Sequence, residues 1–101
     1  MLTIISGTNR KDSMTMKVAR LYHEIASGQT NDLKLLSLEG INVWERGPEL
    51  KKLEEDMLIP STRFIIIMPE YNGSFPGILK LLFDNSDIKR CWWYKKAALV
   101  G

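Results

Sequence analysis

The chain has 101 residues, 45% hydrophobic and 26% charged, a balance that gives one globular domain with a modest core and excludes a disordered segment. Its 14 Lys and Arg against 12 Asp and Glu leave a formal charge of +2, too small for the footprint of a nucleic-acid-binding domain. A lone cysteine, Cys91, rules out an internal disulfide, one histidine beside it does not make the usual zinc ligand set, and no apolar run approaches the roughly 18 residues of a membrane span.

Leu2 to Ile5 is a short, partly β-branched apolar run that predicts a strand, and Ser6-Gly7-Thr8-Asn9 are the turn and cap residues that stop it. Met14, Val18, Leu21 and Ile25 follow at spacings of 4, 3 and 4, with Ala19, Tyr22 and Ala26 alongside. That row is a helical apolar face, and Gly28 marks its end. Leu33 to Leu38 predicts a second strand. Gly47-Pro48 opens a second helix with Leu50, Leu53 and Met57 on one side. Glu49, Lys51, Lys52, Glu54, Glu55 and Asp56 lie mostly on the other, and Pro60 ends the helix. Phe64 to Met68 is an uninterrupted apolar run, the pattern of a central strand buried on both faces. Pro76 sits at a helix start before Ile78, Leu79, Leu82 and Phe83, and Ala97 to Val100 predicts a further buried strand. The order β-α-β-α-β-α-β implies a parallel sheet with helices on its faces, and ligands of such sheets bind beyond the carboxyl ends of the strands. The segments after the first and third strands, Ser6 to Thr15 and Pro69 to Gly77, are therefore the candidate site.

The first segment holds hydroxyls at Ser6, Thr8, Ser13 and Thr15, the amide of Asn9 and the guanidinium of Arg10, just before a helix start. Helix-start N–H groups and the positive end of the macrodipole favour an anion, and an arginine can donate twice to one phosphate. With one glycine it is neither of the common glycine-rich phosphate loops. A simply capped helix start, with Ser13 or Asp12 as the N-cap, uses the same residues. The second segment, Pro69-Glu70-Tyr71-Asn72-Gly73-Ser74-Phe75-Pro76-Gly77, combines a fixed backbone path with an aromatic face at Tyr71 and amide and hydroxyl groups suited to a heterocycle edge. A rigid loop whose aromatics pack on a neighbour fits equally. Together the two segments suit a phosphorylated heterocycle such as a mononucleotide.

Gly7, Thr8, Arg10, Ser13 and Thr15 fall on the pattern G-[ST]-x-R-x-x-S-x-[NT], and residues 69–77 on P-E-Y-N-G-S-[FY]-P-G at every position. With these motifs the chain resembles the NADPH-dependent FMN reductase family of flavodoxin-like fold, and Lys95 to Gly101 is similar to the strand that opens the family's second half. The resemblance implies that Thr8, Arg10, Ser13 and Thr15 hold the FMN phosphate. It also implies that Pro69, Glu70, Tyr71, Asn72, Gly73 and Ser74 line the isoalloxazine. It implies hydride transfer from NADPH or NADH to FMN and then to a small-molecule acceptor such as a flavin, quinone or azo compound. No catalytic acid, base or nucleophile and no metal ligand follow from it, since the chemistry belongs to the flavin. A homodimer or homotetramer is expected, with no nucleic-acid or membrane partner. Met1 to Ile5 lacks the basic start of a secretory signal, so a cytoplasmic location is expected.

The expected architecture is a single doubly wound α/β domain over residues 1–101, with strand order 2-1-3-4 and without the fifth strand of the family. An apolar fourth strand would then have a free edge, and one face of strands three and four would lack its covering helix. The alternative function is a non-catalytic flavin- or phosphate-ligand-binding half-domain or a truncated fragment. Cys91 and the Trp92-Trp93-Tyr94 run are expected to pack rather than react, His23 to be solvated or satisfied, and Lys89-Arg90 and Lys95-Lys96 to be solvated surface.

Overall fold

The computed structural model describes residues 1–8, 14–68 and 77–100. Strands β1 (Leu2–Ser6), β2 (Leu33–Ser37), β3 (Arg63–Ile67) and β4 (Lys96–Val100) form one sheet in the order β2-β1-β3-β4. Every pairing is parallel, with Ile4 level with Leu35 and Ile65, and Ile65 level with Ala98. The helices are α1 (Met14–Ser27), α2 (Pro48–Leu53), α3 (Gly77–Asn85) and the short α4 (Ile88–Cys91), and a π-helical turn over Glu54–Leu58 continues α2. This is the α/β order expected from the alternation of segments.

Strand pleating divides the core in two. On one face Ile4 and Ile67 pack with Ala19 of α1, and Val18, Tyr22, Ala26, Leu35 and Ile65 close around them. On the other, Ile5, Leu36, Phe64 and Ile66 meet Leu50, Leu53 and Leu58 together with Ile78, Leu79 and Leu82 of α3. β3 is covered on both faces, as its continuous apolar run predicts.

The row toward the sheet on α1 is only partly the predicted one: Val18, Ala19, Tyr22 and Ala26 pack there, whereas Met14, Leu21 and Ile25 do not. Thr15 and Ala19 are buried, Tyr22 and Ala26 lie partly buried beside them, and Met14, Leu21 and Ile25 are 53–70% exposed. The small side chain of Ala19 lets the helix approach Ile4 closely, which turns the bulkier row aside.

The second helix departs at Glu54. The π turn adds a residue to the helical repeat, and Glu54, predicted on the solvent side, is 1% exposed. Arg46 meets it with two parallel bonds, Nε to Oε1 at 3.0 Å and Nη2 to Oε2 at 2.9 Å, and the Asp87 N–H points at the same carboxylate. That hydrogen-bonded charge pair raises the pKa of the Arg46 guanidinium.

α4 has no counterpart in the apolar pattern. The Asp87 carboxylate caps it by accepting from the Arg90 N–H. Trp92 then packs its ring 4.8 Å from that of Phe64 and edge-on to Phe83 at 4.9 Å, while its Nε1 donates to Ser86 Oγ. Lys95, expected as solvated surface, instead donates its ammonium to the carbonyls of Leu58 and Ile59 and holds the end of the π turn. Partial burial pushes its pKa down. β4 is present as predicted but is not buried: Lys96 to Leu99 are exposed, and Leu99 is 53% exposed.

The Arg46–Glu54 pair is asymmetric, because the carboxylate is covered and the guanidinium is about half exposed. Arg46→Leu strands a buried carboxylate and is expected to lower the urea midpoint. Adding Glu54→Leu to it is expected to recover part of that loss, since a buried pair can be replaced by apolar packing. A further fall in the double variant, measured by circular dichroism, would show that Glu54 contributes independently of Arg46.

Candidate functional site

β1 and β3 are neighbours, and the chain leaves both at the same end of the sheet. The connection from β1 returns through α1 to β2, whereas β3 and β4 lie on the other side of β1, so the crevice where strand order reverses opens between β1 and β3. The Gly7 N–H, one step beyond the end of β1, donates at 2.7 Å to the carbonyl of Ile67, the last residue of β3. A Cβ on Gly7 would stand 2.7 Å from that carbonyl oxygen and 2.6 Å from Leu79 Cδ1, so the close approach needs glycine.

Ser6 shares a strand face with Ile4 and so points to the α1 side. It is fully buried, and its Oγ has no hydrogen-bond partner. Thr8 and Thr15 are also buried, Thr15 in the first turn of α1. Three buried hydroxyl residues thus flank the passage from the carboxyl end of β1 to the start of α1, where the positive end of the helix dipole lies. A hydroxyl buried without a partner costs roughly 1–3 kcal/mol and calls for an explanation.

Of the predicted cofactor-binding residues, Thr8 and Thr15 are buried at the end of β1 and the start of α1. Arg10, Ser13, Pro69, Glu70, Tyr71, Asn72, Gly73 and Ser74 lie outside the described residues. Ser6 counts among the hydroxyls of the first segment in sequence but falls outside the motif; its signal there is a polar residue closing an otherwise apolar strand.

A second concavity, an apolar groove of ≈ 270 Å³, lies on the opposite face of the sheet. Phe64, Ile66, Ala97 and Leu99 form its floor and Phe83 and Trp92 one wall. The Lys95 ammonium beside it is committed to backbone carbonyls, so the groove offers nothing to a phosphate. Cys91 is buried, and burial pushes its thiol from the ordinary 9.0 up to about 11, which suits a packing residue and not a nucleophile. Among the described residues no helix is long and apolar enough to cross a membrane, and no three His, Cys, Asp or Glu side chains gather as a metal site.

The fold and this end of the sheet define a parallel α/β protein with buried hydroxyl residues at the switch point. The family model for NADPH-dependent FMN reductases matches residues 1–101, and the chain belongs to that family. It is 32% identical over 89 residues to a quinone reductase of Pseudomonas putida, an alignment covering 82% of this chain and 47% of the relative. A 2-hydroxy-1,4-benzoquinone reductase from a Burkholderia species is 24% identical over 110 aligned positions, covering 99% of this chain and 58% of the relative. The chain thus spans about half the length of these curated relatives.

Two expectations follow. Gly7→Ala is expected to destabilise the fold by about 1–3 kcal/mol in urea titrations. Trimming Leu79 to Ala in the same chain should not restore it, because the Ile67 carbonyl still faces the new methyl group. Full recovery would place the conflict at Leu79 alone.

For Cys91, a pKa of about 11 in place of 9.0 leaves roughly a hundredfold less thiolate at pH 8. Reaction with an aromatic disulfide reagent should be slow in the native protein and fast in urea. The raised pKa favours the protonated folded form, so its contribution to stability holds below about pH 9 and is lost as pH rises to about 11.

Proposed function

We propose that the chain binds FMN at the β1/β3 crevice and serves an NAD(P)H-dependent oxidoreductase that reduces a quinone-type small molecule. The observation that carries this reading is the buried Ser6 Oγ without a partner at the carboxyl end of β1, with Thr8 and Thr15 buried on either side of the β1-to-α1 connection, in a chain of the FMN reductase family. The names of the two relatives favour a quinone as the acceptor.

In this reading Thr8, Arg10, Ser13 and Thr15 hold the phosphate, with the α1 dipole behind them. Arg10 supplies the paired charged donors that a phosphate takes best. Pro69, Glu70, Tyr71, Asn72, Gly73 and Ser74 line the ring and exclude water from it. The chemistry that FMN supplies when bound is acceptance of hydride from NADPH or NADH and delivery of electrons to the acceptor. No side chain of this chain is given the part of acid, base or nucleophile. The working protein is a homodimer or homotetramer in the cytoplasm.

A second reading, flavin binding without turnover, is favoured by the exposure of β4 and the open groove beside it. Titration with FMN, followed by NADPH oxidation with a benzoquinone acceptor, separates the two: binding with turnover selects the first and binding without turnover the second. Arg10→Ala is expected to weaken FMN by roughly tenfold or more and riboflavin little, since only FMN carries the phosphate. Equal losses for the two ligands, read by fluorescence quenching, would remove Arg10 from the phosphate site.

A further inference from the structure

We propose that Ser6 is a positioning residue of the phosphate cradle, a role that rests on the FMN reading and that the Gly7-to-Thr15 motif does not contain. Ser6 is the last residue of β1, level with Ser37 of β2 and Ile67 of β3. Ile4, two residues earlier on the same strand face, packs against Ala19 of α1. One pleat repeat along β1 is about 6.6 Å, and one turn back along α1 from Ala19 to Thr15 is about 6 Å. The helix runs back against the strand, so these steps bring Ser6 and Thr15 to the same level beneath the helix start.

The neighbouring hydroxyls already have work within the fold. Ser37 Oγ accepts from the Glu39 N–H, and Thr3 and Ser61 bond each other across 2.6 Å. Ser6 Oγ is the one buried side-chain nitrogen or oxygen among the described residues with no partner. A strand end packed against Ile67 gains nothing from such a hydroxyl, and alanine would serve the unliganded fold as well.

Ser6 is 0% exposed, so it does not present its oxygen to solvent as a direct ligand. It acts through Thr15, which the register brings to its level. A serine hydroxyl gives one hydrogen bond and takes two, so by donating to the Thr15 hydroxyl oxygen it leaves the Thr15 O–H free to point at the anion. The free valence is then filled when the phosphate is held.

The test compares wild type, Ser6→Ala and Ser6→Cys by thermal melting without ligand and by titration with FMN and with riboflavin. Cysteine keeps the shape but is a weak donor. Both variants are expected to melt without ligand no lower than wild type, to bind FMN roughly tenfold more weakly and to bind riboflavin unchanged. Unaltered FMN affinity, equal losses for the two flavins, or failure of both variants to fold would overturn the role of Ser6 while leaving FMN binding by wild type intact. A wild type that takes up no FMN would overturn the FMN reading and this inference together.

Discussion

The pairing of β1 with β3 is the constraint on which the site depends. Five residues of each strand run parallel in register, and the Gly7 N–H extends the ladder to the Ile67 carbonyl after the side chains of β1 have ended. That contact brings the roots of the two candidate segments within one hydrogen bond of each other. It is possible because position 7 carries no Cβ and because α3 presses Leu79 against the same spot. The glycine is thus a packing requirement set by β3 and α3, before any ligand is considered.

The two faces of the sheet do different work around that contact. On the α1 side the core thins from Ile4 and Ala19 to the hydroxyls of Ser6 and Thr15 as the strand reaches its end. This gradient from apolar to polar is what a helix-terminus anion site needs: a fixed base, and donors only where the ligand arrives. On the opposite face the aliphatic and aromatic core continues from α3 past Phe64 and Trp92 to the open groove beside β4.

Much of this was legible in the sequence, and the departures share a cause. The four strands, the starts of the second and third helices and the position of the candidate loops follow from local runs and breakers, which short parallel strands express strongly. What local pattern did not carry was which of two apolar rows on α1 faces the sheet. Met14, Leu21 and Ile25 are the bulkier residues, yet closeness of approach selects the row through Thr15 and Ala19, with Val18 beside it. The burial of Glu54 depends on a π turn and on Arg46 and Asp87, and so on contacts that no window of the chain contains. Ser6 was visible as a residue but not as an unbonded one, since that depends on what every neighbour has already paired with.

The same distant contacts reach the site through β4. This strand has little side-chain burial of its own: Ala97, Ala98 and Leu99 are exposed, and among the described residues it pairs only with β3. Such a strand is poorly held by hydrophobic burial alone. Its place is set by the residues just before it. Trp92 locks onto Phe64 and Phe83, and Lys95 is anchored to the Leu58 and Ile59 carbonyls at the end of the π turn. That turn is the one stabilised by Glu54 and Arg46. β4 in turn fixes the start of the second candidate segment, because the Met68 N–H donates to the Val100 carbonyl at 2.8 Å. A charge pair remote from the crevice therefore bears on where Met68 is held at the end of β3. The site is held on one side by the Gly7 contact and on the other by this chain of buried polar and aromatic contacts.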